Sequence, residues 1–209
     1  MSPMALASRK DTREAADQPS SIQGRAAADL QYIRRAMERS ATFTAVPGRG
    51  GAVMGGIGLL AAGIGAVQPS AGRWLLTWLT AAAMALVVGI VTMRRKAHHA
   101  GIAWGGASTR SFFLSLAAPL VAGAALTAGL WFHGVWGLMP TVWLLLYGAG
   151  VLTGGAFSVA PMRVLGLSFM TLGLASLLTP PSWGNVWLGL GFGALQVGFG
   201  WYIARHHGG

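Results

Sequence analysis

Residues 74–93 read WLLTWLTAAAMALVVGIVTM, a stretch of twenty positions without a charged side chain. A helix rises about 1.5 Å per residue, so this stretch spans about 30 Å, the thickness of the hydrocarbon core of a bilayer. Comparable apolar stretches lie at about 51–67, 112–132, 138–157, 160–178 and 183–204. The sequence therefore predicts an all-α, polytopic membrane protein with six transmembrane helices.

The composition of the 209-residue chain supports a membrane protein. Hydrophobic residues make up 54% and charged residues 10% of the chain, and its mean hydropathy is +0.56, whereas about a quarter of the residues of a soluble domain are charged. All acidic residues lie within the first 38 positions, namely Asp11, Glu14, Asp17, Asp29 and Glu38. Because proton relays and ion sites in membranes usually need an intramembrane carboxylate, we do not expect proton pumping or charge-coupled transport.

Three regions are predicted along the chain: a disordered polar tail over 1–27, an amphipathic interfacial helix over 28–46, and the six-helix transmembrane domain over 47–209. The tail mixes charged residues with Pro and Ser and has no continuous apolar core, so it does not read as a cleaved signal peptide. The boundary at 47 follows from Pro47-Gly48, a pair that breaks a helix before the first membrane stretch begins.

The interfacial helix is predicted from residues that repeat at helical spacing. Leu30, Ile33 and Met37 share one side of this helix. Arginines fall largely on another side, at Arg34, Arg35 and Arg39. Such a helix lies along a membrane surface with its cations near anionic lipid. We expect an anchor on the inner leaflet, and a docking helix for a cytoplasmic partner is the alternative.

The distribution of Lys and Arg orients the six predicted spans. Fourteen of the 15 positive residues fall on the side of the two chain ends, and only Arg73 falls on the other side. Positive loops resist translocation, so both termini are expected to face the cytoplasm. Arg94, Arg95 and Lys96 close the second predicted helix. Cations suit both a helix C-terminus and anionic headgroups, and these three residues are predicted to contact lipid.

Glycine is enriched to 32 of 209 residues, about twice its usual share. In lipid, small residues let helix backbones approach closely. Pairs spaced four apart predict such helix-packing positions at Gly51 and Gly55, Gly150 and Gly154, and Gly189 and Gly193. Packing within one chain is the main expectation, and packing against a second copy or another membrane protein is the alternative.

Two short similarities share the same separation along the chain. LTAGL at 126–130 is followed by MTLGL at 170–174, and VWLLL at 142–146 is followed by VWLGL at 186–190, each 44 positions later. The same separation thus relates two successive helices, which form one hairpin, to two later helices. This favours three repeated helical hairpins. Chance similarity in a sequence rich in Gly and Leu is the alternative.

The sequence contains no pattern that predicts catalysis, a bound metal or a cofactor. Cysteine is absent, and the hydroxyls within the apolar stretches have no neighbouring base. The histidine pairs at 98–99 and 206–207 have no acidic or cysteine ligand beside them, which favours solvated helix ends over a metal site. Basic residues are scattered over loops rather than interleaved with aromatic residues, so nucleic-acid binding is not expected.

A distinctive string precedes the first span, with LQYIRRAMER at 30–39 and FTAVPGRGG at 43–51. It resembles the entry segment of uncharacterised bacterial multi-pass inner-membrane proteins, with the pattern LxYIRxxMExxxxFTAVPGxGG. The resemblance covers about a tenth of the chain. It implies a bacterial inner-membrane location and implies no activity, substrate or catalytic residue.

These observations favour a non-enzymatic membrane scaffold or accessory subunit. The expected partners are membrane lipids together with another membrane protein or further copies of the chain. A passive carrier or channel for a small neutral or lipid-like solute is the alternative. A polar cavity across the middle of the bundle would favour the carrier, and a solidly packed interior would favour the scaffold.

Overall fold

The computed structural model describes residues 24–32, 46, 48–99 and 106–206, and these are helical apart from short connections. Helix α1 covers 24–32. It is followed by α2 (Gly48–Ala66), α3 (Ala71–His99), α4 (Ala107–Phe132), α5 (Met139–Gly155) and α6 (Ala160–Ser176). The last long helix consists of α7 (Gly184–Leu188), a π-helical segment (Gly189–Leu195) and α8 (Gln196–His206). Short 3₁₀ turns, Trp136–Leu138 and Pro181–Trp183, precede α5 and α7.

Five helical stretches in the described residues have the length and composition to cross a membrane: Gly48–Ala66, Ala71–His99, Thr109–Phe132, Trp136–Gly155 and Pro181–His206. The remaining apolar helix, α6, has 17 residues, which corresponds to about 26 Å and falls slightly short of a bilayer core. The all-α membrane architecture is therefore present, with five helices of crossing length where the sequence predicted six.

Several helices extend beyond the predicted apolar stretches. Helix α3 continues to His99, so the basic cluster predicted to follow the span belongs to the last turns of the helix. Helix α4 begins at Ala107, five residues before its predicted start at 112. Hydropathy shows where the apolar stretch ends and does not show where the helix ends. Lys and Arg are good helix formers, so a helix can continue past the apolar stretch into water.

The chain divides into two compact units, between Ala41 and Thr42. In the first unit, α1 is exposed along its whole length and begins four residues before the predicted start of the interfacial helix at 28. The rest of that predicted helix up to 45, with Arg34, Arg35 and Arg39, lies outside the described residues, as does the predicted tail up to 23.

In the second unit, two helices carry most of the packing. Helix α2 packs against α3 on one side and against the π segment and α8 on the other. Helix α5 packs against both α4 and α6 and also contacts α7. The largest fully buried side chains line these contacts, at Phe112, Met139, Leu144, Phe169 and Leu188.

Helices α3 and α4 lie at the periphery of this unit. Only 11% of the most apolar 18-residue window of each helix is buried, compared with 44% for the span that contains α5. Helix α3 packs mainly on α2, and α4 packs mainly on α5, although the two are consecutive along the chain. Broad apolar faces of both helices are therefore left uncovered by the part of the chain that the structure describes.

Candidate functional site

The clearest polar cluster lies where the α2–α3 and α6–α7 connections meet, which is called the turn end of the bundle below. Asn185 Oδ1 accepts hydrogen bonds from Trp74 Nε1 at 3.2 Å and from Trp78 Nε1 at 3.1 Å. Asn185 Nδ2 donates to the Ala62 carbonyl oxygen at 2.7 Å. One side-chain amide thus joins α2, α3 and α7, and these four residues are named the Asn185 clasp.

The Asn185 clasp is extended by stacked aromatic rings, and a glycine beside it leaves space for the amide. The ring of Trp143 on α5 stacks on Trp74, with centroids 5.7 Å apart and planes 8° apart. Trp143 Nε1 in turn donates to Thr127 Oγ1 of α4 at 2.8 Å. A Cβ at Gly65 would lie 2.7 Å from Asn185 Oδ1. Glycine at 65 therefore leaves the amide room to reach both indoles.

A cavity of about 210 Å³ opens at the same end of the bundle, between α5 and α6. Two buried hydroxyls lie on its wall, Thr141 Oγ1 and Ser176 Oγ, 2.6 Å apart. Ser176 Oγ donates to the Gly173 carbonyl oxygen at 2.7 Å, so Thr141 supplies the hydrogen of the shared bond. Because both hydroxyl hydrogens are used internally, these two groups offer only acceptor lone pairs to the cavity.

A second amide lies in the middle of the bundle. Gln196 is the first residue of α8, and only 7% of its surface is exposed. Its Nε2 donates to the Tyr147 hydroxyl oxygen of α5 at 3.0 Å. Its Oε1 is buried, and no hydrogen-bond donor in the described part of the chain reaches it. Gln196 and Tyr147 are named the central amide pair.

Two phenylalanine rings pack against the tyrosine of the central amide pair. The ring centroid of Tyr147 lies 4.7 Å from that of Phe169 and 4.9 Å from that of Phe192, and the two phenylalanines are 5.1 Å apart. Gly191 of the π segment approaches Phe169 so closely that a Cβ there would lie 3.0 Å from the ring. Apolar rings of α6 and of the π segment therefore contact one member of the central amide pair.

The π segment immediately precedes Gln196. It contains Gly189, Gly191 and Gly193, all buried. A π turn takes an extra residue and so changes the direction in which later side chains point, and such turns occur frequently at functional sites. The irregular backbone of the last long helix thus coincides with the buried amide.

The structure places the six predicted packing glycines against other helices of the same chain. A Cβ at Gly51 would lie 3.3 Å from Gly200, and one at Gly189 would lie 2.9 Å from Ala62, so both positions join α2 to the last long helix. The same two elements meet at Gly55 and Gly193, whereas α4 meets α5 at Gly150 and Gly154. Close approaches that the sequence analysis did not single out occur at Gly48, Gly58, Gly148, Gly155, Gly166, Gly173 and Gly200.

The predicted lipid-contact residues of α3 separate into two environments. Arg94 and Arg95 are exposed. Lys96 is partly buried, and its Nζ donates to the Val46 carbonyl oxygen at 2.9 Å. Lys96 thus connects the end of α3 to Val46, two residues before the start of α2.

The histidines at the helix ends contact aromatic rings. His98 and His99 lie edge to face with centroids 6.0 Å apart, and His206 stacks on Tyr202 at 4.4 Å. Among the described residues, no group of three or more His, Cys, Asp or Glu is positioned to hold a metal ion. His207 lies outside the described residues.

Asn185 and Gln196 are not among the predicted site residues, because neither is charged or nucleophilic. Each is nevertheless a lone carboxamide in an otherwise apolar stretch, and this is the signal that marks it. In lipid, a carboxamide has no water to bond and must find protein partners, so each such residue predicts an interhelical contact.

Comparison with known proteins finds no protein-family model, no curated protein and no solved structure that matches the chain. What the protein does is therefore inferred from the geometry of its own residues.

Proposed function

We propose that the protein is a non-enzymatic membrane scaffold or accessory subunit. The observation that carries this proposal is the uneven burial of its long helices. The apolar windows of α3 and α4 are 11% buried, whereas the α5 span is 44% buried. Large side chains are left exposed on both outer helices, such as Leu86 on α3 and Val121 on α4. These faces are available for lipid or for a membrane-protein partner, including another copy of the chain.

The packing of the bundle interior also supports a scaffold. Leu144, Phe169 and Leu188 each have 0% exposure. Gly191 fits between Leu144 and Phe169 so closely that a Cβ there would overlap both side chains. A channel or carrier needs a pathway lined by polar groups, whereas these tightly packed apolar residues lie between α5, α6 and the last long helix.

The alternative function is a passive carrier for a small neutral or lipid-like solute. It is favoured by one observation, the Gln196 carbonyl oxygen, which is buried without a described donor. An uncharged amide in the middle of a bundle offers a solute a hydrogen-bonding group without the cost of a buried charge.

We further propose six crossings with both termini in the cytoplasm of a bacterial inner membrane. Helix α6 lies along α5. The two helices approach closely at one end, where Gly155 lies beside Arg163, and at the other end, where Gly173 lies beside Leu145. The apolar residues Leu177 and Leu178 follow α6 and are exposed, which lengthens the apolar stretch toward that of a full span. With six crossings, the positive residues collect on one side as the positive-inside rule requires.

Contacts at the turn end support the proposed repeat of helical hairpins. A Cβ at Gly137 would lie 2.9 Å from Pro181, and a Cβ at Gly184 would lie 2.6 Å from Pro140. Both pairs are 44 positions apart, the same offset that relates the two sequence similarities. If two hairpins are related by an approximate two-fold axis, residues near that axis contact the equivalent residues of the other hairpin.

Lipid contact is proposed for the basic residues. Exposed Arg94 and Arg95 lie in the last turns of α3, where anionic headgroups are expected to interact with them. From the sequence pattern, the same role is proposed for Arg34, Arg35 and Arg39 on an interfacial helix. Such a basic surface orients the protein in the membrane and requires no cofactor.

The scaffold proposal is tested by extracting the protein from its native membrane within polymer-bounded lipid discs and weighing the particles by native mass spectrometry. We expect an assembly heavier than the 21.6 kDa monomer. Replacement of Leu86 or Val121 by Trp should release the partner, whereas Leu60→Trp, on an exposed position of α2, should not. A lone monomer from the native membrane would contradict the proposal, and solute leakage through reconstituted monomer would favour the carrier.

A further inference from the structure

The central amide pair has hydrogen-bonding capacity that the described residues do not use. Gln196 Oε1 is buried without a described donor, and the Tyr147 hydroxyl oxygen accepts from Gln196 Nε2, a bond that does not use the hydrogen of the hydroxyl. A buried carbonyl oxygen and a buried hydroxyl hydrogen without partners both cost free energy. An unmet acceptor therefore lies on the amide whose nitrogen bonds to the Tyr147 hydroxyl.

Rotating the amide by 180° does not remove this mismatch. With the oxygen and nitrogen exchanged, the Tyr147 hydroxyl could donate to the Gln196 oxygen, but the amide NH₂ would then occupy the position at which no partner is described. The two orientations are difficult to distinguish by shape alone, and hydrogen-bonding partners decide between them. In both orientations, one polar end of Gln196 faces a position at which the described residues place no partner.

We infer that this position binds a single hydroxyl group, which donates its hydrogen to Gln196 Oε1 and accepts the hydrogen of the Tyr147 hydroxyl. A hydroxyl is suited to this position because it combines one donor with two acceptor lone pairs. The rings of Phe169 and Phe192 pack on the Tyr147 ring and supply apolar surface next to the hydroxyl-bearing residue. A charged group is disfavoured in such surroundings.

Two sources can supply this hydroxyl within a membrane. One is an internal water molecule, which commonly satisfies buried polar groups in proteins. The other is the head group of an uncharged membrane alcohol that enters sideways from the lipid, with its chain remaining among apolar side chains. The glycine-rich π segment directly before Gln196 offers a backbone that can adjust to admit it. The inference does not depend on whether the protein is a scaffold or a carrier.

The first test is a density map of the wild-type protein in lipid discs, at a resolution that shows ordered water. We expect a peak within about 2.5–3.0 Å of both Gln196 Oε1 and the Tyr147 hydroxyl oxygen. An isolated peak identifies water, and a peak continuous with a chain of density identifies an alcohol. This measurement uses the unaltered protein and does not depend on whether a variant folds.

The second test is thermal unfolding in lipid discs during titration with dodecanol as a probe alcohol. If a membrane alcohol is the ligand, the wild-type Tm rises saturably, and Gln196→Leu and Gln196→Met abolish the rise. Gln68→Leu is the matched control, because Gln68 lies in the α2–α3 connection and its Nε2 bonds locally, to the Ile64 carbonyl oxygen near the end of α2. If water is the ligand, the density peak is present and the Tm does not respond. A map without a peak, together with no response to dodecanol, would overturn the inference.

Discussion

Gly166 of α6 lies so close to Leu152 of α5 that a Cβ at position 166 would be 2.5 Å from the Leu152 backbone nitrogen and 2.8 Å from the Gly148 carbonyl oxygen. Both of these atoms belong to the backbone of α5, so a side-chain rotation cannot relieve the overlap. Gly166→Ala must therefore push α6 away from α5. We expect a loss of about 2 kcal/mol or more in the free energy of unfolding, as for other overpacked sites.

The control for this substitution is Gly63→Ala, on the exposed side of α2, where a Cβ would meet nothing within 4 Å. Alanine should be tolerated there or should stabilise the helix by up to about 1 kcal/mol through its higher helix propensity. Unfolding of both variants in the same detergent or lipid disc gives the comparison. Equal stability of the two variants would show that the α5–α6 contact is looser than described.

The glycine contacts illustrate how far the sequence predicts this fold. Pairs spaced four apart predicted close packing, and the structure places these pairs at contacts between helices. The tighter α5–α6 contact uses residues spaced seven apart, at Gly148 and Gly155 on one helix and Gly166 and Gly173 on the other. A spacing of seven is expected where two antiparallel helices remain in contact over several turns. The sequence of one helix alone does not show which other helix it packs against.

The candidate site was harder to predict than the spans. Length and hydropathy determine where a helix can cross lipid, because each residue contributes nearly independently. The Asn185 clasp instead needs Trp74 and Trp78, more than a hundred positions earlier in the chain. The π segment before Gln196 also has no signature beyond its glycines. Such features depend on which helices become neighbours, information that local periodicity does not contain.

Asn185→Leu should destabilise the bundle by on the order of 2 kcal/mol. The substitution removes three hydrogen bonds and leaves two indole N–H groups without their acceptor, while bonds between membrane helices average about 0.6 kcal/mol each. Thermal unfolding measures the loss, and a shift in tryptophan emission reports the altered surroundings of Trp74 and Trp78.

Two further variants separate the clasp from general effects at the turn end. Gly65→Ala should reproduce part of the loss, because its Cβ would lie 2.7 Å from Asn185 Oδ1. Ser182→Ala, at an exposed position of the same connection, should leave both the Tm and the emission spectrum unchanged. An Asn185→Leu variant as stable as the wild type would mean that the indoles find other acceptors.

Lys96→Met should loosen the start of α2. The substitution removes the hydrogen bond from Lys96 Nζ to the buried residue Val46 while keeping most of the apolar stem of the side chain. A hydrogen bond from a charged group contributes about 1.5–3 kcal/mol, so local opening should become roughly ten to a hundred times more frequent. Hydrogen exchange at the first amides of α2, measured by mass spectrometry, reports this opening.

Lys96→Arg is expected to restore part of the protection, because a guanidinium group can also donate to a carbonyl oxygen. Arg95→Met provides the matched loss of one positive charge, from an exposed position on the same turn. If the variants at 95 and 96 accelerated exchange equally, the effect would arise from net charge at the membrane surface and not from the contact with Val46.

Single-cysteine labelling should decide whether α6 crosses the membrane, because the native chain contains no cysteine to interfere. Ala156 and Ser182 are exposed positions on either side of α6. If α6 spans the bilayer, a membrane-impermeant maleimide added to intact cells labels Ser182→Cys, whereas Ala156→Cys reacts only after permeabilisation. Ser70→Cys in the α2–α3 connection and His99→Cys at the end of α3 calibrate the two sides. Labelling of positions 156 and 182 from one side would leave five crossings and would place the chain ends on opposite faces of the membrane.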